Sequence, residues 1–231
     1  WGLAGRGGMG GAGGGLAEGD AEGVTGGLGV SDADAVNGFV SEVHVRFGRI
    51  DILVNNAGIA PVVPWSEVTE ENWQRVLDVN LNGAFHCTRA AWDHMRDRQY
   101  GRIVNISSVG AFLGSVSAHP AYGVSKAGLI ALTKPLAKEG AADRILVNAI
   151  APGHMVTENL GTLWADAGNE KGFHLGELQY PVRRMGVPED IGNAVSFLCS
   201  AEASFITGVI LPVDGGHSIQ LQENIVYELR E

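Results

Sequence analysis

Cysteine is nearly missing. Two residues in 231, Cys87 and Cys199, are too few for a disulfide framework and lack the spacing of zinc ligands. A reduced, cytoplasmic setting is therefore expected. Positive charge is also short, with 16 Lys and Arg against 26 Asp and Glu and a net charge of −10. Nucleic acid and membrane surfaces want clustered cations, so neither is an expected partner. No apolar run approaches the ~18 residues that span a bilayer. No charged start leads into an apolar stretch either, so no secretory signal is expected. His44, His86, His94, His174 and His217 show no metal-ligand pattern and read as structural or surface residues, with no metal expected. The Gly-x-Ser-x-Gly elbow of serine hydrolases does not occur, which leaves acyl-enzyme chemistry without support.

Glycine is in excess, and unevenly so. Of 34 glycines, fourteen fall within residues 1–30, a stretch with no strand-like apolar run that begins at Trp1. Each glycine costs a helix ~1 kcal/mol against alanine. From Ser31 onward the pattern is legible. Ser31-Asp32-Ala33-Asp34 offers N-caps for a helix through Val36, Phe39, Val40 and Val43, stopped by Gly48. Ile50 to Val54 is a β-branched run with the form of a strand buried on both faces, closed by Asn55-Asn56-Ala57-Gly58.

A long helix is expected from Thr69 or Glu70 to about residue 98. Its apolar stripe runs through Trp73, Val76, Leu77, Leu81, Ala84 and Phe85, and its only strongly polar member is Asn80. Arg102 to Ser107 reads as a second strand, and Ala121 to Gly140 as a helix that Pro135 should bend. Ile145 to Ile150 is a third strand, ended by Ala151-Pro152-Gly153. Residues 158–182 show no clean period and read as a substrate loop. Pro188-Glu189-Asp190 opens another helix, and Val209 to Leu211 forms a last strand before Asp214-Gly215-Gly216. Strands alternating with amphipathic helices predict one domain over 1–231, a doubly wound parallel α/β sheet of Rossmann-like form.

Ligands of such sheets bind beyond the carboxyl ends of the strands. The residues there are Asn55 to Gly58, Ser107-Ser108, and Pro152-Gly153 with Thr157. Each alone reads as turn chemistry; together they converge on one edge. Tyr122 and Lys126 lie four residues apart on a helix and share a face. A nearby ammonium favours the phenolate and pulls the tyrosine pKa down.

Asn55-Asn56-Ala57-Gly58, Asn80, Ser108, Tyr122-x-x-x-Lys126, Pro152 to Thr157 and Thr207-Gly208…Val213-Asp214-Gly215-Gly216 occur in that order. The combination resembles the short-chain dehydrogenase/reductase family over about residues 31–218. The resemblance implies hydride transfer between NAD or NADP and a secondary alcohol or ketone. It makes Tyr122 the general acid/base and Lys126 its partner, lowering the Tyr122 pKa and holding the nicotinamide ribose. Ser108, with Ser107 as its competitor, steadies the substrate oxygen, and Asn80 holds a relay water. Asn56, Ala57 and Gly58 fall on the adenosine-ribose side; Pro152, Gly153, Met155 and Thr157 fall near the nicotinamide. His119, His154 and Trp164 are candidates for the wall of the substrate cleft.

The segment from Ser108 to Tyr122 is one residue longer than the family's commonest spacing. The family's phosphate-binding glycines should follow a first strand, yet Ala4-Gly5-Arg6-Gly7-Gly8-Met9-Gly10 has no strand before it. Gly5, Gly8 and Gly10 are therefore only an echo of that motif. Two βα pairs need about 50–60 residues where thirty stand, so a longer native N-terminus is expected. An oxidoreductase with a small-molecule substrate is the expectation, working as a homo-oligomer and most simply a tetramer. A β-ketoacyl reductase is the alternative, and a binding or regulatory protein on the same fold is a second.

Overall fold

The computed structural model describes residues 29–114, 118–156 and 180–219. The expectations for Gly5, Gly8, Gly10, Thr157, Trp164, the N-terminal stretch 1–28 and the loop over 158–179 lie outside the described residues.

Helix α1 (Ala33–Phe47) starts where Asp32, in extended backbone, accepts the free N–H groups of Asp34 and Ala35. It stops at Gly48, whose φ of 70° is the left-handed turn that glycine adopts without strain. Strand β1 (Ile52–Asn55) follows, then α2 (Glu70–Leu77) behind a reciprocal Thr69–Asn72 capping box. The expected single long helix is not continuous. A π turn over Asp78–Asn82 separates α2 from α3 (Gly83–Asp97), and the polar member of the stripe, Asn80, sits inside it. Such one-turn insertions mark functional positions in helices.

Strand β2 (Gly101–Ile106), the short α4 (Gly110–Leu113) and α5 (Pro120–Gly140) come next. Helix α5 runs on through Pro135, which lies on its exposed face, so the carbonyl of Ala131 that loses its partner can meet water. Strand β3 (Ile145–Pro152), α6 (Pro188–Cys199) and β4 (Ile210–Val213) complete the strands and α-helices among the described residues.

The four strands are parallel in the order β1-β2-β3-β4. Leu53, Ile103 and Val147 form one row across the sheet and pack beneath α1, α3 and α5. Val104, Ile106 and Ile150 face the other way, onto Leu198 and Cys199 of α6. Both faces thus carry helices, as the alternating pattern requires. Strand β1 departs from its expectation: Ile52 and Val54 are only half-buried, because α6 packs on β2, β3 and β4 and meets β1 at its margin.

A buried polar ladder crosses the α3/α5 face just below the strand ends. Asn55 Nδ2 donates to Asn105 Oδ1 (2.8 Å) and to Thr88 Oγ1 (3.1 Å). Asn105 Nδ2 donates to Thr133 Oγ1 (3.0 Å), whose hydroxyl donates to the Leu129 carbonyl (2.7 Å). Buried amides need such partners, since an unmet one carries its full desolvation cost. The ladder ties β1 and β2 to the two helices that deliver the site.

Candidate active site

Strand β2 ends at Ile106, and the two serines that follow it point in different directions. Ser107 Oγ donates to the Lys126 carbonyl at 2.8 Å and is buried, so it is spent on fastening α5 to the sheet. Ser108 Oγ accepts the Gly110 N–H at 3.0 Å, and a Cβ on Gly110 would sit 3.3 Å from Ser108 Oγ and 3.5 Å from Tyr122 Cε1, so the two side chains flank one spot. Of the two, Ser108 shares a site with Tyr122.

Helix α5 opens at His119, with Pro120 in its first turn. Tyr122 and Lys126 follow one turn apart, and Lys126 Nζ lies 5.8 Å from the Tyr122 ring centroid. The ammonium is buried and donates to the Ile106 carbonyl at 2.8 Å. Burial pushes it down to about 8. Tyr122 moves the other way from the expected direction. Burial raises its phenol above the usual value, with only the Ser108 hydroxyl pulling it down. The physical reason is desolvation: the buried phenol would lose water on ionising, and no contribution from Lys126 offsets that cost.

Asn80 reaches this group from the π turn. Its Oδ1 accepts the Ile59 N–H (2.7 Å), and its Nδ2 donates to the Ile59 carbonyl (2.9 Å) and to Ser125 Oγ (3.1 Å). Ser125 Oγ in turn donates to the Tyr122 carbonyl at 2.7 Å. Ser125 is a contributor that the motif pattern does not single out. Its place three residues after Tyr122, where a serine hydroxyl reaches back to a helix carbonyl, is the one signal the sequence offers for it. Gly58 stands across from both side chains: a Cβ there would sit 3.4 Å from Asn80 Oδ1 and 3.4 Å from Lys126 Nζ. Asn56 and Gly58 are exposed and Ala57 half-buried, on the loop that leaves β1.

The Pro152–Met155 turn leaves β3 beside β4. The Pro152 carbonyl accepts the Val109 N–H, and the Gly153 N–H donates to the Val213 carbonyl. A Cβ on Gly153 would come within 3.0 Å of the Asp214 Cα, so the two backbones touch there. Met155 bridges to Gly186, and the His154 ring nitrogen Nδ1 lies 2.6 Å from the Tyr180 hydroxyl. A cavity of about 390 Å³ behind this turn is lined by His154, Met155, Tyr180, Arg184 and Asp214 among others, but not by Ser108, Tyr122 or Lys126. His119 corrects its expectation. It is 1% exposed, with both ring nitrogens engaged, so it lines no cleft. Burial pushes the Cys87 thiol up to about 11, which removes it as a competing nucleophile.

Among the described residues no helix is long and apolar enough to cross a membrane, and no group of three metal-ligating side chains occurs. Residues 16–218 match the family model described as Enoyl-(Acyl carrier protein) reductase. The acetoacetyl-CoA reductase of Shinella zoogloeoides is 42% identical over 77% of this chain and 71% of its own length. The 3-oxoacyl-[acyl-carrier-protein] reductase FabG of Aquifex aeolicus is 43% identical over 76% of this chain and 68% of its own. Among solved structures, ElxO with NADP bound superposes with a TM-score of 0.79 at 33% identity, covering 84% of this chain and 77% of that one. A parallel sheet with its polar residues gathered at the strand ends, matched this far along the chain by dehydrogenases and reductases, places the protein in the short-chain dehydrogenase/reductase family, as an oxidoreductase that uses NAD or NADP.

Proposed function

We propose that Tyr122 is the general acid/base for interconverting a ketone and a secondary alcohol, with Ser108 beside it on the substrate oxygen. The observation that carries this is the meeting of the Ser108 and Tyr122 side chains over Gly110 at the carboxyl edge of β2, backed by a buried Lys126 one helical turn away. When bound, the nicotinamide supplies or takes up the hydride. The protein's own part is positioning and a proton path. Tyr122 gives its proton to the carbonyl oxygen in reduction and takes one from the hydroxyl in oxidation. Ser108 donates to the same oxygen and so meets charge as it develops. One such donor is typically worth about 2.7–4 kcal/mol of barrier.

The residues present suit the nucleotide. Lys126 Nζ spends one N–H on Ile106 and keeps the others, and the bare face of Gly58 leaves room beside it. Lys126 would then hold the nicotinamide ribose, Asn56 to Gly58 the adenosine-ribose side, and Pro152, Gly153 and Met155, with Thr157, the nicotinamide side. The Asn80 side chain is committed to Ile59 and Ser125. Its part in holding a relay water therefore falls to its main chain within the π turn.

The acetoacetyl-CoA and 3-oxoacyl carrier-protein reductases among the relatives favour a second, narrower reading, in which the ketone is a 3-oxoacyl thioester. The assembly is read as a homo-oligomer, a tetramer. Phe85 on α3 is 52% exposed, and Phe112 on α4 and Val124 on α5 are each 50% exposed, so apolar surface awaits a neighbour. Light scattering at micromolar concentration returning a monomer would overturn that. The buried free thiols of Cys87 and Cys199 support a cytoplasmic setting.

Tyr122→Phe tests the central assignment, because it deletes the proton and almost no volume. A ketone panel assayed with NADH and NADPH should show kcat falling about 10²–10⁴-fold, the usual worth of such catalysis. More than about a tenth of wild-type kcat remaining would refute the role.

A further inference from the structure

We propose that His119 is a positioning residue: its imidazole clamps the start of α5 to the capping box of α2 and so fixes where Tyr122 points. The inference rests on the reading of Tyr122 as the acid/base. His119 is buried, and every hydrogen-bonding group it owns is engaged. Its N–H donates to the Pro61 carbonyl (2.8 Å), and its carbonyl accepts the Tyr122 N–H (2.8 Å). Nδ1 accepts the Ala121 N–H at 3.0 Å, so that nitrogen carries no hydrogen. The ring hydrogen is therefore on Nε2, which donates to Asn72 Oδ1 at 2.9 Å.

Asn72 is no loose partner. Its Oδ1 also accepts the Thr69 N–H (2.9 Å), and its Nδ2 donates to the Glu67 carbonyl (3.0 Å). A second tie closes the frame from the other side. Asn80, eight residues further along the same α2–π–α3 unit, grips Ile59 and Ser125, and Ser125 holds the Tyr122 carbonyl. The loop of residues 59–61 is thus pinned at Ile59 by Asn80 and at Pro61 by His119. Tyr122 lies in the first turn of α5, where N–H groups have no partners within the helix and a cap decides whether the turn frays. Displacing a reacting group by about 1 Å costs on the order of 10²-fold in rate.

A residue that merely stabilises the fold would cost Tm and leave the catalytic split alone, which makes the two roles separable. His119→Leu removes both ring contacts. His119→Gln keeps an acceptor for Ala121 and a donor for Asn72 on one side chain. Asn72→Ala frees Nε2 and opens the Asn72 half of the α2 capping box, but leaves the His119 Nδ1 cap on Ala121, and so provides a second variant should His119→Leu fail to fold. The expected result is a kcat lowered about 10- to 100-fold in His119→Leu, with KM for NADPH or NADH within about twofold. Recovery to within about threefold of wild type is expected in His119→Gln, and a several-fold loss of kcat in Asn72→Ala. In a Tyr122→Phe background His119→Leu should cost nothing more, because both changes act through one group. Wild-type kcat in His119→Leu, or no recovery in His119→Gln, would overturn the clamp. Hydrogen exchange at the Ala121 and Tyr122 amides reads the same clamp without turnover. Unchanged protection there refutes it even if Tyr122→Phe proves active, an outcome that by itself would refute only the acid/base reading.

Discussion

Lys126 should weaken the fold it serves, and the size of that effect follows from its surroundings. The side chain is buried with the Ile106 carbonyl as its hydrogen-bond partner, and burial lowers its pKa from 10.5 to about 8. Below pH 8 both the folded and the unfolded chain hold the proton, and the folded state bears the whole cost of a buried charge. Between pH 8 and about 10.5 the folded chain gives the proton up while the unfolded chain keeps it. Stability contributed at this position therefore rises with pH across that window. Lys126→Met removes the titration. The stability of wild type relative to Lys126→Met should then improve by about 2 kcal/mol between pH 7 and pH 9.5, since each tenfold difference in proton affinity is worth ~1.4 kcal/mol. Urea unfolding of both proteins without added cofactor, at those two pH values, measures it. Other titrating groups cancel in the difference. A difference that stays constant within error, or that moves toward the mutant as pH rises, would refute the argument. Lys126→Met should also be inactive, so that the stabilised form at pH 7 is the one that cannot turn over.

The phenol of Tyr122, raised by burial against the opposing Ser108 hydroxyl, sets the pH response of the reaction. Alcohol oxidation needs the phenolate, so its rate should climb with pH and still be climbing at about pH 9, whereas ketone reduction holds over the same range. A profile flat from pH 6 to 10 in initial-rate assays would count against the assignment. Thr133→Val leaves the Asn105 Nδ2 donor without its acceptor in the buried ladder. It should cost about 1–3 kcal/mol in urea unfolding, and a neutral result would mean the ladder is not a supporting element.

The order of the elements was legible because each is announced locally. Asp32 and Gly48 bound α1 by the chemistry of caps, and the β-branched runs at Ile103 and Val147 could pack only inside a covered sheet. The residues after each strand pointed to the site for the same reason, since topology alone sends them to one edge. The sequence carried no sign of how the polar groups share out their bonds.

Ser107 and Ser108 are equivalent as letters; only the pleat, which turns successive side chains to opposite directions, gives one to Lys126 and the other to Tyr122. The unbroken stripe through residues 73–95 reads as one helix, yet Asn80 meets Ile59, 21 residues away, and the extra residue of the π turn goes with that contact. His119, a candidate for the cleft wall by sequence, is instead buried between α2 and α5 as a clamp. Likewise the downward pull of Lys126 on Tyr122, read from their spacing alone, gave way to desolvation. Spacing along a helix is a local property that the chain fixes before it folds. Burial and the partner of each buried polar atom depend on segments far apart in sequence, and those are set only when the segments meet.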